Sequence, residues 1–341
     1  MLTSDFDFDL PADRIAQDPA PRGTSRLLVL HSEDDSRHQK ISDLPSILQS
    51  GDLLVINNTK VVPARLFAKR ETTGGQLEIL LVERKSEILW EALARPAKKA
   101  KKGEKFAIDS RLAFEVIEVL SAGGVEIEFS EPIDPHLDRL GHIPLPPYIR
   151  RPDRDSDRSA YQTVYASRDG AIAAPTAGLH FDRPLLTKLE EAGVGIAELT
   201  LHVGVGTFKP VITERTSEHK MDSERFELPE ATVAAIQQTR HRGGRIVAVG
   251  TTVVRTLESV ARAHKGKLVA AKGSTDLFIA PGFQFSVVDV MLTNFHLPRS
   301  TLLMLVCAFA GKDRIFAAYL DAVDRDYRFY SYGDAMLVAK A

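Results

Sequence analysis

Apolar positions along this chain follow two different textures. Up to residue 63, the continuous runs RLLVL (Arg26–Leu30) and DLLVI (Asp52–Ile56) predict buried strands, and ISDLPSILQSG between them predicts a short helix stopped at Gly51. From Ala64 to about Ser130, short β-like runs follow one another: ARLFAKR, QLEILLVER, EILWEAL, KFAID, AFEVIEVL and VEIEF. Turns such as TTGG and SAGG separate several of them, and alternation is clear in Phe114–Leu120 and Val125–Phe129. This texture predicts a small antiparallel barrel. The connector GHIPLPPYIRRPDRDSDR (Gly141–Arg158) is too rich in proline for a regular helix. After it the helical period returns, with helices over Pro184–Ala192, Pro229–Arg242 and Thr252–Ala263 and strands over Gly195–Val203 and Arg245–Val249. Continuous apolar strands alternating with helices predict a sheet covered on both faces. The expected fold is an α/β main domain, residues 1–63 plus 146–341, with a small antiparallel β-barrel inserted over 64–145.

Composition narrows the function classes. Of 341 residues, 44 % are hydrophobic and 26 % charged, the mix of an ordinary globular protein. The single cysteine, Cys307, cannot form an internal disulfide, ligate an iron–sulfur cluster or build a cysteine-based zinc site. No His/Cys set supports a metal either. The acidic start MLTSDFDFDLPADRI lacks the features of a signal peptide, and TLLMLVCAFA (Thr301–Ala310) is too short to span a bilayer and predicts a buried helix. A cytoplasmic location without membrane contact is expected. The net charge of −2 means that a polyanionic partner must be met by local patches.

Candidate chemistry concentrates after Gly141. AAPTAGLHF (Ala173–Phe181) crowds small residues around Thr176 and then presents His180. TLHVGVGTFKPV (Thr200–Val211) runs a strand carrying His202 into a turn with Gly204, Gly206 and Thr207, a place where ligands of open α/β sheets sit. Its G-x-G lacks the third glycine of a dinucleotide site. HKMDSE (His219–Glu224) offers acid–base groups, Glu224 among them. In GGRIVAVGTTVVRTLES (Gly243–Ser259), Thr251 and Thr252 open a helix whose free N–H groups suit an anion or ribose hydroxyls, and Arg255 follows one turn later. LTNFHLPRSTLLMLV (Leu292–Val306) sets Asn294, His296 and Arg299 at the mouth of an apolar helix, where burying them without partners is costly. YRFYSYGDAML (Tyr327–Leu337) holds Tyr332 and Asp334 in an aromatic stretch. For each residue taken singly, a capped helix, a satisfied core histidine or a solvated turn competes with a site. Two basic regions, Lys98, Lys99, Lys101 and Lys102 on a barrel hairpin and Arg150 and Arg151 in the connector, are candidates for phosphate contact.

Taken in order, these motifs resemble one family, S-adenosylmethionine:tRNA ribosyltransferase-isomerase of queuosine biosynthesis. The similarity runs from DFDFDLPADRIAQDP through GDLLVINNTKVVPARL, GHIPLPPYIRRP, AAPTAGLHF, TLHVGVGTFKPV, VAVGTTVVRTLES and DVMLTNFHLPRSTLLMLV to YRFYSYGDAML. Asp222 stands where the family often has histidine, and Val205 and Val253 replace smaller residues. The resemblance implies an α/β domain with an inserted barrel. It implies transfer and isomerisation of the ribosyl moiety of S-adenosylmethionine onto 7-aminomethyl-7-deazaguanine in a tRNA anticodon, with release of adenine and methionine. S-adenosylmethionine is then a consumed substrate rather than a cofactor, and the chain is expected to act as a monomer. Proton transfer falls to His180, His202, His296 and Glu224. Substrate binding falls to Thr176, Gly204, Gly206, Thr207, Thr251, Thr252, Arg255, Asn294, Arg299, Tyr332 and Asp334. An adenine-releasing nucleosidase and a non-catalytic RNA-binding module are the alternatives, and adenine release without tRNA separates the first from a transferase.

Overall fold

The computed structural model describes residues 1–30, 36–208 and 211–341. These fall into two compact units, one made of 1–60, 147–151 and 159–341, the other of 61–146 and 152–158. The first is built on a nine-stranded sheet. Its strands are β1 (Arg26–Leu30), β2 (Ser36–Lys40), β3 (Leu53–Asn57), β4 (Gly195–Leu201), β5 (Glu224–Leu228), β6 (Ile246–Val249), β7 (Ala271–Thr275), β8 (Val290–Asn294) and β9 (Ala335–Ala339). Their spatial order is β7-β5-β4-β3-β6-β8-β9-β1-β2. The block β4-β3-β6-β8 is parallel, and β9 inserts antiparallel to β8 and parallel to β1.

The continuous apolar runs have the expected consequence. Side chains alternate across a strand, so each central strand feeds two cores. Leu53 and Val55 enter one core and Leu54 and Ile56 the other, and Ile246/Ala248 and Val247/Val249 divide in the same way. Helices Glu230–His241, Thr251–Ala263, Thr301–Ala310 and Lys312–Asp324 cover the first face. Helix Arg183–Glu191 and the single turn Leu44–Ile47 cover the second. The run Thr301–Ala310 is the buried helix expected of it, with Cys307 inside and its thiol pushed up to about 12 by burial.

The second unit is a closed six-stranded antiparallel barrel of Arg65–Arg70, Gln76–Arg84, Leu89–Arg95, Lys105–Ala107, Ala113–Val119 and Gly124–Phe129. Every β-like run read from the sequence supplies one strand. Inward residues alternate with outward ones, and Phe114 stacks on Phe106 (5.4 Å) and meets Phe129 edge-on (5.8 Å). Pro152–Arg158 belong with this unit. Asp153 accepts from the His142 ring at 3.0 Å and the Ile143 N–H at 3.1 Å.

Candidate active site

The parallel strands β3, β4, β6 and β8 end on the same side of the sheet, the side where open α/β sheets hold ligands. A cleft of about 400 Å³ lies there, within the size range of small-molecule sites. Each strand end contributes something different. Asn57, the last residue of β3, uses its amide to clasp the end of β4, donating to the Leu201 carbonyl (2.9 Å) and accepting from the Leu201 N–H (3.0 Å). Beyond β4, Val203 and Thr207 line the cleft. Beyond β6, Gly250 turns the chain with a φ of +90°, open to glycine and strained for other residues, and helix Thr251–Ala263 starts. No side chain caps that helix, so its first N–H groups, with Thr251 and Thr252, face the cleft. Asn294 is the last residue of β8, and beyond it come His296 and Arg299.

His296 is the one expected proton-transfer residue that lines the cleft. Its Nε2 lies 2.8 Å from Thr293 Oγ1, and the Tyr319 hydroxyl accepts its backbone N–H at 3.0 Å. Burial lowers its pKa from 6.5 to about 3, so the imidazole is neutral at physiological pH. His180 is buried behind Asn294. The Asn294 amide nitrogen donates to the Tyr330 carbonyl and to His180 Nε2 (both 3.1 Å), while Asn294 Oδ1 accepts from Thr176 Oγ1 (3.3 Å). Nε2 is therefore an acceptor, the ring proton sits on Nδ1, and it points to Ser25 Oγ at 2.9 Å. Burial, reinforced by the charges of Arg328 and Arg22, holds the His180 pKa near 4. Ser25 and His180 line a second cavity of about 540 Å³ together with Tyr332, and Ser331 lines both cavities.

Several expected site residues lie elsewhere. Consecutive residues of extended chain face opposite ways, so with Val203 lining the cleft, His202 points away, into an open groove, bonded through Nδ1 to Thr59 Oγ1 (2.8 Å). Glu224 and Arg255 form a buried ion pair. Glu224 Oε1 also accepts the Gly204 N–H (2.9 Å), and Arg255 Nε donates to the Leu277 carbonyl (3.1 Å). Their charges are spent on fixing the glycine turn to the helix, and neither they nor Gly204 and Gly206 line the cleft. Lys209 and Pro210 of that turn's motif lie outside the described residues. Asp334 accepts from the backbone N–H groups of Arg26 and Arg328, both at 2.9 Å, and so organises the loop before β9. Arg299 lines the cleft but pairs with Asp7. The cleft also contains residues that the sequence did not single out, Tyr148, Tyr161, Tyr330 and Ser331. Tyr148 and Tyr330 pack with ring centroids 4.2 Å apart, and the Tyr148 hydroxyl lies 2.6 Å from Ser331 Oγ. The Tyr330 hydroxyl is buried with no hydrogen-bond partner among the described residues. Tyr148 comes from the connector and Tyr330 from the aromatic stretch, both quoted as motifs without these residues being chosen, and Tyr161 follows shortly after the connector.

A family model described as queuosine biosynthesis protein matches residues 3–338. The chain belongs to the queuosine biosynthesis protein family. It is 49 % identical to a protein of Trichlorobacter lovleyi named S-adenosylmethionine:tRNA ribosyltransferase-isomerase, over 99 % of this chain and the relative's full length. Relatives of the same name from Thermotoga maritima (49 %) and Moorella thermoacetica (50 %) match with the same coverage. The crystal structure of an S-adenosylmethionine tRNA ribosyltransferase from Thermotoga maritima superposes with a TM-score of 0.55, 41 % identical, covering 98 % of this chain and 99 % of that one.

In this family member Asp222 lies against the glycine turn. A methyl group placed on Gly206 would come 2.7 Å from Asp222 Oδ2, so a side chain at that position would have to displace Asp222. Val253 is a core residue. Of the basic candidates, Lys98, Lys101 and Lys102 are exposed around a depression on the barrel, whereas Lys99 reaches the Gln76 carbonyl (3.2 Å). Arg151 is tied to Asp18 (3.1 Å), and the Arg150 side chain is exposed. Among the described residues, no three His, Cys, Asp or Glu side chains cluster as metal ligands, and no helix is long and apolar enough to cross a membrane.

Proposed function

We propose that this protein transfers and isomerises the ribosyl moiety of S-adenosylmethionine onto 7-aminomethyl-7-deazaguanine in a tRNA anticodon, giving epoxyqueuosine-tRNA and releasing adenine and methionine. The observation that carries the proposal is near-identical length and about half-identical sequence with relatives named for that class of reaction. The cleft supports it. The reaction needs a base for the 5′ C–H acidified by the sulfonium, a proton for the departing adenine, and an uncharged substrate amine. A neutral His296 can accept the carbon-bound proton, and the imidazolium so formed can return it to adenine. Because the resting imidazole carries no spare proton near pH 7, the proton given to adenine is the one taken from the substrate. His180 acts through Asn294, fixing the amide that faces the ligand. Thr176, Thr207, Thr251, Thr252 and Arg299 hold the ribose, adenine or methionine groups, and the helix start favours the methionine carboxylate. S-adenosylmethionine is consumed, no metal or further cofactor takes part, and the chain works as a cytoplasmic monomer.

The test is incubation with S-adenosylmethionine and tRNA carrying the deazaguanine precursor, followed by nucleoside mass spectrometry. Epoxyqueuosine formed in step with adenine release is expected, with turnover unchanged by thorough chelation. Adenine release that needs no tRNA would instead identify a nucleosidase.

A further inference from the structure

We propose that the open groove on the face of β4 opposite the cleft, around Arg168, His202, Arg225, Phe226 and Lys272, binds the sugar–phosphate backbone of the tRNA beside the nucleotide being modified. The proposal rests on the reading of the chain as a tRNA-acting enzyme and adds a surface to it.

The groove, about 650 Å³, runs along the end of the sheet where β7 is the edge strand. Its charge is unbalanced. Lys272 pairs with Glu227 and Lys60 with Asp169, each at 3.0 Å, which cancels those charges at the rim. Arg168 and Arg225 are exposed and make no side-chain ion pair or hydrogen bond among the described residues. Two free guanidinium groups are thus held in one depression of a chain whose net charge is −2. β7 pairs only with β5 among the described residues, so backbone N–H groups on its outer side are open, and Gly273 leaves that backbone uncovered. Guanidinium groups together with edge N–H groups are the donors that phosphate oxygens take. Phe226, half-buried within the groove, adds an aromatic surface of the kind on which unpaired bases stack. His202 is held by Thr59, and burial and the Arg225 charge lower its pKa, so it enters as a neutral hydrogen-bonding group.

The groove's position connects it with the reaction. Two chain segments pass from the groove to the cleft. Ser167–Asp169 line the groove and Ala174–Ala177 the cleft, while His202 lines the groove and Val203, the next residue, the cleft. RNA held in one is therefore brought to the rim of the other. An open depression with unpaired arginines and an aromatic surface fits an extended polyanion better than a free anion, which an enclosed pocket would hold.

The experiment uses the full chain and tRNA carrying the deazaguanine precursor, with Kd measured across a salt series. Arg168→Ala with Arg225→Ala should weaken tRNA binding on the order of 10- to 100-fold near 0.1 M salt and lower the salt slope by about one to two units. Affinity for S-adenosylmethionine and the thermal midpoint should stay unchanged. Arg168→Lys with Arg225→Lys should restore most of the affinity, because a phosphate contact needs the charge. Phe226→Ala should weaken binding without altering the slope. An unchanged Kd and slope in the double alanine variant would overturn the groove proposal alone, as would a loss that lysine fails to restore. Absence of tRNA binding by the unaltered protein would remove this proposal together with the reading on which it rests.

Discussion

At the scale of single residues, the structure separates a histidine that lines the cleft from one that sits behind a neighbour's amide. His296 lines the cleft, whereas His180 reaches it through the Asn294 amide. His296→Gln keeps hydrogen bonding and removes proton exchange. Turnover should fall by roughly 100- to 10,000-fold in single-turnover assays, with affinity for S-adenosylmethionine little changed. Near-normal turnover would exclude His296 as the base. His202→Gln should spare single-turnover chemistry at saturating tRNA, because His202 faces the groove. Both buried imidazoles also make stability depend on pH. Their pKa values in the fold are near 4 for His180 and near 3 for His296, against 6.5 in the unfolded chain. Below pH 6.5 the unfolded state takes up protons that the fold refuses. Their contribution is therefore complete above about pH 6.5 and is lost as pH falls toward 4 and then 3, at up to about 1.4 kcal/mol per pH unit for each group. Urea unfolding between pH 7.5 and 5 should show a shallower pH dependence in His180→Gln than in the unaltered protein, and parallel curves would contradict the assignment.

At the scale of elements, the site is made by strand ends, and strand alternation decides what enters it. The Glu224–Arg255 pair fastens the Gly204 turn of β4 to helix Thr251–Ala263. Removing one partner strands a buried charge, so Glu224→Ala should cost about 3–5 kcal/mol of stability, and the double change to apolar residues of similar volume should cost much less. Equal losses in the single and double variants would show that the pair is not coupled. The same elements mark how far sequence reading reached. Runs such as RLLVL and DLLVI disclosed buried strands because burial on both faces leaves a continuous apolar signature, and the barrel disclosed itself by alternation. β2, SRHQK, has no such signature because it is a polar edge strand, and Ser36–Lys40 is a strand only through its pairing with β1. Motif density picked out loops that meet in space, since Thr176, Thr207, Thr251, Thr252, Asn294, His296 and Arg299 all line one cleft. It could not tell which way a residue at a strand end faces. That is why His202 faces the groove while Val203, its neighbour, lines the cleft, and why Glu224, whose carboxylate meets a guanidinium 31 positions away, reads as an acid–base group until its partner is seen.

For the whole molecule, a net charge of −2 means that the tRNA of the proposed reaction would have to be met by local surfaces, and each unit carries a candidate one. On the barrel, neutralising Lys98, Lys101 and Lys102 should weaken tRNA binding and reduce the salt slope by roughly 0.7–0.9 for each phosphate no longer neutralised, with S-adenosylmethionine binding unchanged. An unchanged slope would mean that these lysines are only solvated. The barrel also permits a test of modular folding. Its strands close on themselves, and its core of described residues runs from Ala64 to Leu137. The chain's one tryptophan, Trp90, lies on a barrel strand and packs against that core. A fragment spanning residues 61–158 keeps every strand together with the His142–Asp153 contact, and it should fold alone. Heating it should give a single cooperative change in Trp90 fluorescence, with a calorimetric enthalpy of about 60–80 kcal/mol for a chain of ~100 residues. A closed antiparallel barrel has no open edge to pair between copies, so the transition should not depend on protein concentration. A gradual, non-cooperative change in Trp90 would show that the barrel depends on the rest of the chain for its order, and that the insertion is modular in topology but not in folding.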